Sequence, residues 1–363
     1  TGTLSVPLVW YPDAYSGDII YASNITIASG GSLTISPGQY YGGHVQFTGT
    51  SVLTINSGGA FTVNPKTSVT VHRIVNNGSL TLESYANESG VASLLHRYYS
   101  GIGITVTRIY LSGGTTPEGT YKWHYISVPV DNVNVSTFST LDLAQYVESL
   151  VTNEYNESGW VAHDGWHYYT ETTDLGYAFS SLELGKGYNY YSDGGSIFSL
   201  TGNLNISDVS MPVTCGSGYP EYQGFNLLGN PFACCLDWDH IITNYTPASV
   251  NNAIYFTNNG SVAAYVGGVG VSGGTGTIPP LQGFFVHVTD GAFPVTGIIS
   301  MNNSVRINNT TQQFSKSARK SGGSLLRLAA SFEADTSVKD YMMIYDDVKA
   351  SDNFDSGLDA LKL

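Results

Sequence analysis

Residues 25–82 read ITIASGGSLTISPGQYYGGHVQFTGTSVLTINSGGAFTVNPKTSVTVHRIVNNGSLTL, and seven short triplets punctuate the stretch. Six have the form apolar-Thr-apolar: Ile25-Thr26-Ile27, Leu33-Thr34-Ile35, Leu53-Thr54-Ile55, Phe61-Thr62-Val63, Val69-Thr70-Val71 and Leu80-Thr81-Leu82. Val45-Gln46-Phe47 fits the same frame, and successive starts are 8, 12, 8, 8, 8 and 11 residues apart. Alternation at period two puts the outer residues of each triplet on one face of a strand and the middle residue on the other. Gly30-Gly31, Pro37-Gly38, Gly58-Gly59, Asn64-Pro65 and Asn76-Asn77-Gly78 lie between triplets and are turn formers. Such even spacing predicts a short parallel β-solenoid, with a meandering sandwich as the alternative. The fold class expected is all-β: an N-terminal β-solenoid-like ladder over 1–100, followed by duplicated β-sandwich units, with one or two short helices.

Composition agrees and excludes several classes. Charged residues make up 12% of the 363, with 14 Lys plus Arg against 28 Asp plus Glu and a net charge of -14. Nucleic acid is therefore excluded as a partner, because phosphate contacts need clustered cations. A hydrophobic content of 42% can bury a core, which argues against disorder. No run of 18 apolar residues occurs, so the chain is not expected to span a membrane.

The middle of the chain repeats itself. Gly187-Tyr188-Asn189-Tyr190-Tyr191 and Thr201-Gly202 match Gly283-Phe284-Phe285-Val286-His287 and Thr296-Gly297 at offsets of 95 to 97. Trp123 to Pro129 mirrors Phe225 to Pro231 at an offset of 102, and Trp166 to Tyr169 mirrors Ala253 to Phe256. The order of landmarks predicts one sandwich unit over 101–212, a second over 213–315, and a linker with a further β segment over 316–363. From Thr140, Leu143, Tyr146, Val147, Leu150 and Val151 fall at helical spacing, which predicts a helix capped by Thr140 with Asp142 in its first turn. A shorter helix is expected from Asp237 through Ile241 and Ile242. The glycine-rich loop at 267–277 lacks the Lys-Ser/Thr of a phosphate loop.

Gly224-Phe225-Asn226-Leu227-Leu228-Gly229-Asn230-Pro231-Phe232, then Leu236-Asp237-Trp238-Asp239, resembles a phrase of secreted Bacteroidetes surface proteins that are cargo of the type IX secretion system. Ile278-Pro279-Pro280-Leu281-Gln282-Gly283-Phe284-Phe285-Val286 resembles the phrase that usually follows it. Residues 77–84, 123–129 and 353–363 look like further parts of the same pattern. The resemblance covers the chain from about residue 25 onward. It implies an extracellular or cell-surface address, and it carries no catalytic residue across. The C-terminal sorting domain of such cargo is not in the sequence, so a processed or shortened C-terminus is expected. Cys234-Cys235 departs from the pattern, which has small non-cysteine residues there.

Sites of modification are the clearest candidates for chemistry. Asn-x-Ser/Thr sequons begin at Asn24, Asn77, Asn87, Asn134, Asn156, Asn205, Asn244, Asn259, Asn302, Asn308 and Asn309. Eleven stand where composition predicts about 5, which suits a glycosylated surface. Cys215 is expected to bridge to Cys234 or Cys235, with three buried thiols as the alternative.

Catalytic, cofactor and metal sites are not expected. His163 and His167 would face one metal only on a helix, and Gly165 argues for a turn and a strand. Asp237, Asp239 and His240 read as a helix cap. Asp346, Asp347, Asp352, Asp355 and Asp359 lack calcium-loop spacing. The function expected is a non-enzymatic structural or adhesive surface protein, a glycosylated subunit that assembles head to tail with itself into a fibre or layer. The alternative is a carbohydrate-binding accessory module whose partners are surface glycans.

Overall fold

A computed structural model describes the chain apart from residues 1, 12–18, 38–42, 87–89, 114–121, 139–142, 157–158, 172–174, 193, 259–260, 290, 309–324, 332–338, 346–349 and 352–363. The triplets form short parallel strands that coil into a solenoid of about four turns. Its strands are β1 (Gly2–Leu4), β2 (Pro7–Trp10), β3 (Ile19–Ala22), β4 (Ile25–Ile27), β5 (Ser32–Ile35), β6 (Gly43–Phe47), β7 (Val52–Ile55), β8 (Ala60–Val63), β9 (Thr67–Asn76), β10 (Ser79–Leu82), β11 (Ser93–Ser100) and β12 (Ile104–Leu111). Three strands make one turn, so the eight-residue step is strand to strand. The full turn is read from the register Gly2↔Ile25, Ile25↔Leu53 and Leu53↔Ile74. Outer triplet residues stack inward in columns such as Leu33, Phe61 and Leu80, all fully buried. The middle threonines stack outward as Thr34, Thr62 and Thr81.

One corner explains the glycines. Ser32, Ala60, Ser79 and Ile104 are in register, so the preceding Gly31, Gly59, Gly78 and Gly103 stack where the chain turns. A Cβ on Gly78 would lie 2.3 Å from the Gly59 carbonyl oxygen and 2.5 Å from that of Asn56. Both are backbone atoms and cannot yield cheaply. Gly78→Ala is expected to cost about 2 kcal/mol of stability, read as a lower urea midpoint at unchanged slope; an unchanged midpoint would contradict the stacked corner.

The solenoid extends past the expected boundary at residue 100. β12 continues the sheet β2-β5-β8-β10 in parallel, with Ser79↔Ile104. The remaining strands are β13 (Lys122–Ile126), β14 (Val133–Asn134), β15 (Leu143–Tyr146), β16 (Thr152–Asn156), β17 (Gly159–His163), β18 (Trp166–Tyr168), β19 (Ser181–Leu182), β20 (Tyr188–Ser192), β21 (Ser196–Thr201), β22 (Val209–Cys215), β23 (Phe225–Gly229), β24 (Cys235–Asp237), β25 (Ile254–Asn258), β26 (Ser261–Val266), β27 (Val269–Val271), β28 (Thr277–Ile278), β29 (Gly283–His287), β30 (Val295–Met301), β31 (Arg306–Ile307), β32 (Leu325–Ser331) and β33 (Lys339–Tyr345). β21 closes the β12 edge by antiparallel pairing.

The two middle segments pair their strands in one register. Trp123↔Tyr191 and Ile126↔Tyr188 in β13–β20 correspond to Phe225↔His287 and Leu228↔Phe284 in β23–β29, shifted by 102 and 96 residues. Val133↔Leu182 likewise corresponds to Leu236↔Ile278. Contacts between the segments obey the same exchange. The bridge Ile126↔Gln282 has its counterpart in Lys186↔Leu228. Ser127 N–H donates to Leu281 O at 2.9 Å, as Gly229 N–H donates to Gly185 O at 2.8 Å. The Trp166 landmark does not follow suit. β18 pairs with β15, whereas β25 pairs directly with β29, so the two stretches hold different sheet positions.

The sandwich lies between the segments instead of within each. The sheets β13-β20-β15-β18 and β23-β29-β25-β26-β27 meet through an aromatic layer of Tyr125, Tyr146, Trp166, Phe225, Tyr255 and Phe285. β29 is buried on both faces, with Phe284 and Val286 turned to a second core around Trp238 and Ile241.

The helix expected from Thr140 is not formed. Thr140 and Asp142 lie outside the described residues; Leu143 to Tyr146 is strand β15, and a single 3-10 turn follows at Glu148–Leu150. β15 is paired on both sides, by β20 and β18, and this ladder overrides the helical spacing. The helix expected from Asp237 is present as α1 (Trp238–Asn244), with the Asp237 carboxylate accepting from His240 N–H. Its counterpart one segment earlier is a 3-10 turn at Val135–Thr137, capped by Asn134.

Candidate functional site

Among the described residues, no group of three His, Cys, Asp or Glu side chains is arranged to hold a metal ion. His163 ends β17 and His167 lies in β18, with Gly165 at φ +86° turning the chain between them. His167 is buried, and its Nδ1 lies 3.2 Å from Glu171. Asp239 accepts from the Tyr265 hydroxyl at 2.6 Å, and His240 stacks on Tyr245. Burial, reinforced by the Asp239 carboxylate, pushes the Tyr265 hydroxyl well above the ordinary tyrosine range. Asp346, Asp347, Asp352, Asp355 and Asp359 lie outside the described residues.

The cysteines form no bridge. All three are buried as thiols. Cys215 ends β22 and its Sγ donates to Gly216 O, while Cys234 and Cys235 lie at the entry to β24 in another sheet. Burial pushes the Cys234 thiol up to about 12, partly opposed by the Arg306 guanidinium.

Arg306 belongs to the junction between the solenoid and the second segment. Its guanidinium lies 4.8 Å from the Phe232 ring centroid, and its Nε has no hydrogen-bond partner. Nearby, Leu94 N–H donates to Ala233 O, and Asn308 bonds to both Ser93 and Thr70. His96 is buried in this junction with Nδ1 unsatisfied. Burial, with Arg306 adding to it, lowers its pKa to about 3. The unfolded chain takes up this proton near pH 6.5 and the folded chain does not, so stability falls as pH drops below 6.5. Between pH 6.5 and 5 the expected loss is about 2 kcal/mol. His96→Phe should flatten that limb of the stability profile relative to the parent; identical limbs would reject the assignment.

The sequons separate by environment. Asn24, Asn77, Asn134 and Asn244 are exposed. Asn302 is half-buried and caps the turn at Ser304. Asn205 is buried and its amide closes a turn onto Ser207, while both polar atoms of Asn308 are committed to the solenoid. Asn87, Asn259, Asn309 and the Asn156 side chain lie outside the described residues.

The sequence did not single out the feature that is most unusual on the surface. Residues 19–65 contain no Asp, Glu, Lys or Arg, and residues 1–18 contain only Asp13 and Asp18. This blank coincides with the first two turns of the solenoid and most of the third. At the first turn, Val6, Val9, Tyr11 and Tyr21 are 63%, 44%, 65% and 67% exposed. The missing charge was a legible signal.

Two buried polar residues that sequence reasoning passed over tie distant stretches together, Glu148 between the segments and Asn230 within the second. Glu148 is buried and accepts from Thr214 Oγ1, Gly216 N–H and Gly224 N–H. Asn230 is fully buried; its amide donates to the carbonyls of Cys234, Ile278 and Pro279, and its Oδ1 accepts from Phe232 N–H.

No curated protein and no solved structure matches this chain. One family model, described as Domain of unknown function (DUF8693), matches residues 14–362, which is nearly the whole sequence. The chain therefore belongs to the family described as Domain of unknown function (DUF8693).

Proposed function

We propose that this is a non-enzymatic structural or adhesive protein of the extracellular surface, exported as type IX cargo and associating with itself through the solenoid. The observation that carries the reading is the early part of the solenoid, where residues 19–65 hold no charged side chain on a chain of net charge -14. Mutual repulsion opposes association wherever charge is exposed, and it is weakest on this element. The exposed sequons at Asn24, Asn77, Asn134 and Asn244 support attached sugars as the solvating layer in place of charge. Electron microscopy and light scattering of the natively exported protein test the reading. Assembled particles carrying sugar are expected; dispersed, unmodified monomers at high concentration would overturn it.

A second reading rests on a different place. Trp123, 37% exposed on β13, packs on Tyr191 with ring centroids 4.5 Å apart. Such an aromatic pair can stack on a sugar ring, which fits an accessory carbohydrate-binding module. Pull-down on insoluble polysaccharides, lost in Trp123→Ala, is the expected result; no retention on any polysaccharide would remove it.

A further inference from the structure

Arginine is scarce in this chain, with six copies, and two of them converge on one ring of the solenoid surface. Arg73 lies in β9 and Arg97 in β11, and both are exposed. The Arg73 guanidinium is 4.8 Å and the Arg97 guanidinium 5.8 Å from the ring centroid of Tyr98, which is itself 40% exposed. His72 meets the same ring edge-on, at 5.2 Å. The ladder fixes the arrangement: Tyr98 is in register with Arg73, and the hydroxyl of the next residue, Tyr99, is tied to Asn76 and Thr105. A third arginine lies behind them. Burial, with the Arg97 charge adding to it, holds the Arg306 guanidinium below its ordinary range, against the pull of Cys234 and Asp208.

No acid in the sheet answers this charge. The strands of the sheet β1-β4-β7-β9-β6-β3 with β11 contain no Asp or Glu, and Arg73 and Arg97 are their only charged residues. Arg108 on β12, by contrast, is paired with Glu83 at 2.9 Å. Among the described residues, the side chains of His72, Arg73, Arg97 and Tyr98 make only these ring contacts, and their hydrogen-bonding groups are unspent. A guanidinium lying against a ring keeps its planar fork of N–H donors for another acceptor. Two guanidiniums at one ring also repel each other unless an anion lies between them. Charge can guard a strand edge, but lysine does that as well, and a guard has no need of an exposed ring.

We infer that His72, Arg73, Arg97 and Tyr98 form a binding site for an acidic polysaccharide, a chain of sugar rings bearing carboxylate or sulfate groups. Either anion offers paired oxygens to the N–H donors of a guanidinium. The sugar ring beside it offers an apolar face to the tyrosine ring and hydroxyls to the Tyr98 hydroxyl and the His72 imidazole. A small free anion would engage the arginines and leave the ring idle. The charge balance of the chain favours this place. Residues 1–111 hold four basic residues (Lys66, Arg73, Arg97, Arg108) and four acidic ones (Asp13, Asp18, Glu83, Glu88), so the whole net charge of -14 belongs to residues 112–363. A polyanion therefore meets the least repulsion on the solenoid. The site is separate from the Trp123–Tyr191 pair and from self-association, and it rests on neither.

Affinity electrophoresis of the 363-residue chain through gels loaded with polygalacturonate, dextran sulfate or neutral dextran tests this. Retardation by an acidic polymer and none by dextran is expected, and the two acidic gels tell carboxylate from sulfate. Arg73→Gln with Arg97→Gln should weaken the retardation about ten-fold or more. The melting curve should not change, because both side chains are exposed and hold no hydrogen bond. Tyr98→Ala should weaken it about three-fold, and Trp123→Ala should leave it intact. No retardation by either acidic polymer, or retardation that survives the double substitution, would overturn the site. Equal retardation by a single-stranded oligonucleotide would overturn it too, by showing ion exchange without recognition of sugar. Retardation lost in Trp123→Ala but kept in the double variant would overturn it in favour of the Trp123–Tyr191 pair.

Discussion

Phe285→Ala is expected to lower the unfolding free energy by about 4 kcal/mol, as for large aromatic deletions in a closed core. Phe285 is 3% exposed at the centre of the layer between the two sheets. Its ring stands edge-on to Tyr125, Tyr146, Trp166 and Phe225, with centroids 5.1, 5.0, 5.8 and 6.1 Å away. Those rings come from both segments, so none can move into the space without leaving its own sheet. The loss combines transfer of the ring with an unfilled cavity. Urea unfolding followed by far-ultraviolet dichroism gives the number. A loss below about 1 kcal/mol would mean that the layer relaxes freely and does not bind the segments into one body.

Asn230→Asp is expected to cost a similar amount, about 4 kcal/mol, for an electrostatic reason. The side-chain amide serves three carbonyl oxygens, at 2.8, 3.2 and 3.0 Å. A carboxylate has no proton to give them and brings a buried negative charge against three negative dipole ends. Protonation removes the charge and supplies one donor, and burial raises the folded-state pKa, so the deficit relative to the parent should shrink as pH falls toward the ordinary carboxylate range and level off below it. The shared contribution of His96 cancels in that difference. A deficit independent of pH would show that the loss is steric and not electrostatic.

The two phrases that carry the resemblance meet at this residue. The Asn230 amide joins Gly229-Asn230-Pro231-Phe232 to Ile278-Pro279-Pro280, and Gln282 Nε2 reaches across to Tyr125 O. Their meeting has a physical basis: the amide of one satisfies backbone carbonyls of the other inside a closed core.

The solenoid was legible because its signal is local. Each triplet buries its outer residues by period two alone, and each turn between triplets is made by residues adjacent in sequence. The short helix at Asp237 was legible for the same reason, since cap and first turn are neighbours. The helix expected over 140–151 failed where local spacing competes with pairing: Leu143, Ala144 and Gln145 are buried in a strand held from both sides. The repeat was visible as offsets of 96 and 102. Its sandwich was misplaced, because periodicity tells that a strand has an apolar face and not which sheet will cover it. The cysteines likewise gave no geometry, and the sequons gave no exposure: Asn205 and Asn24 carry the same tripeptide pattern and lie in opposite environments.

The sequence by itself determined that residues 25–82 coil as short β rungs, that residues near 123–192 and 225–287 share a pattern, and that the first 65 residues carry almost no charge. These are properties of spacing and composition, and neighbours along the chain suffice to set them. Only the tertiary structure decided that the two patterned segments lie back to back and that β21 covers the β12 edge of the solenoid. Those outcomes depend on which strand edges find partners far away in the chain, and no local pattern encodes the partner.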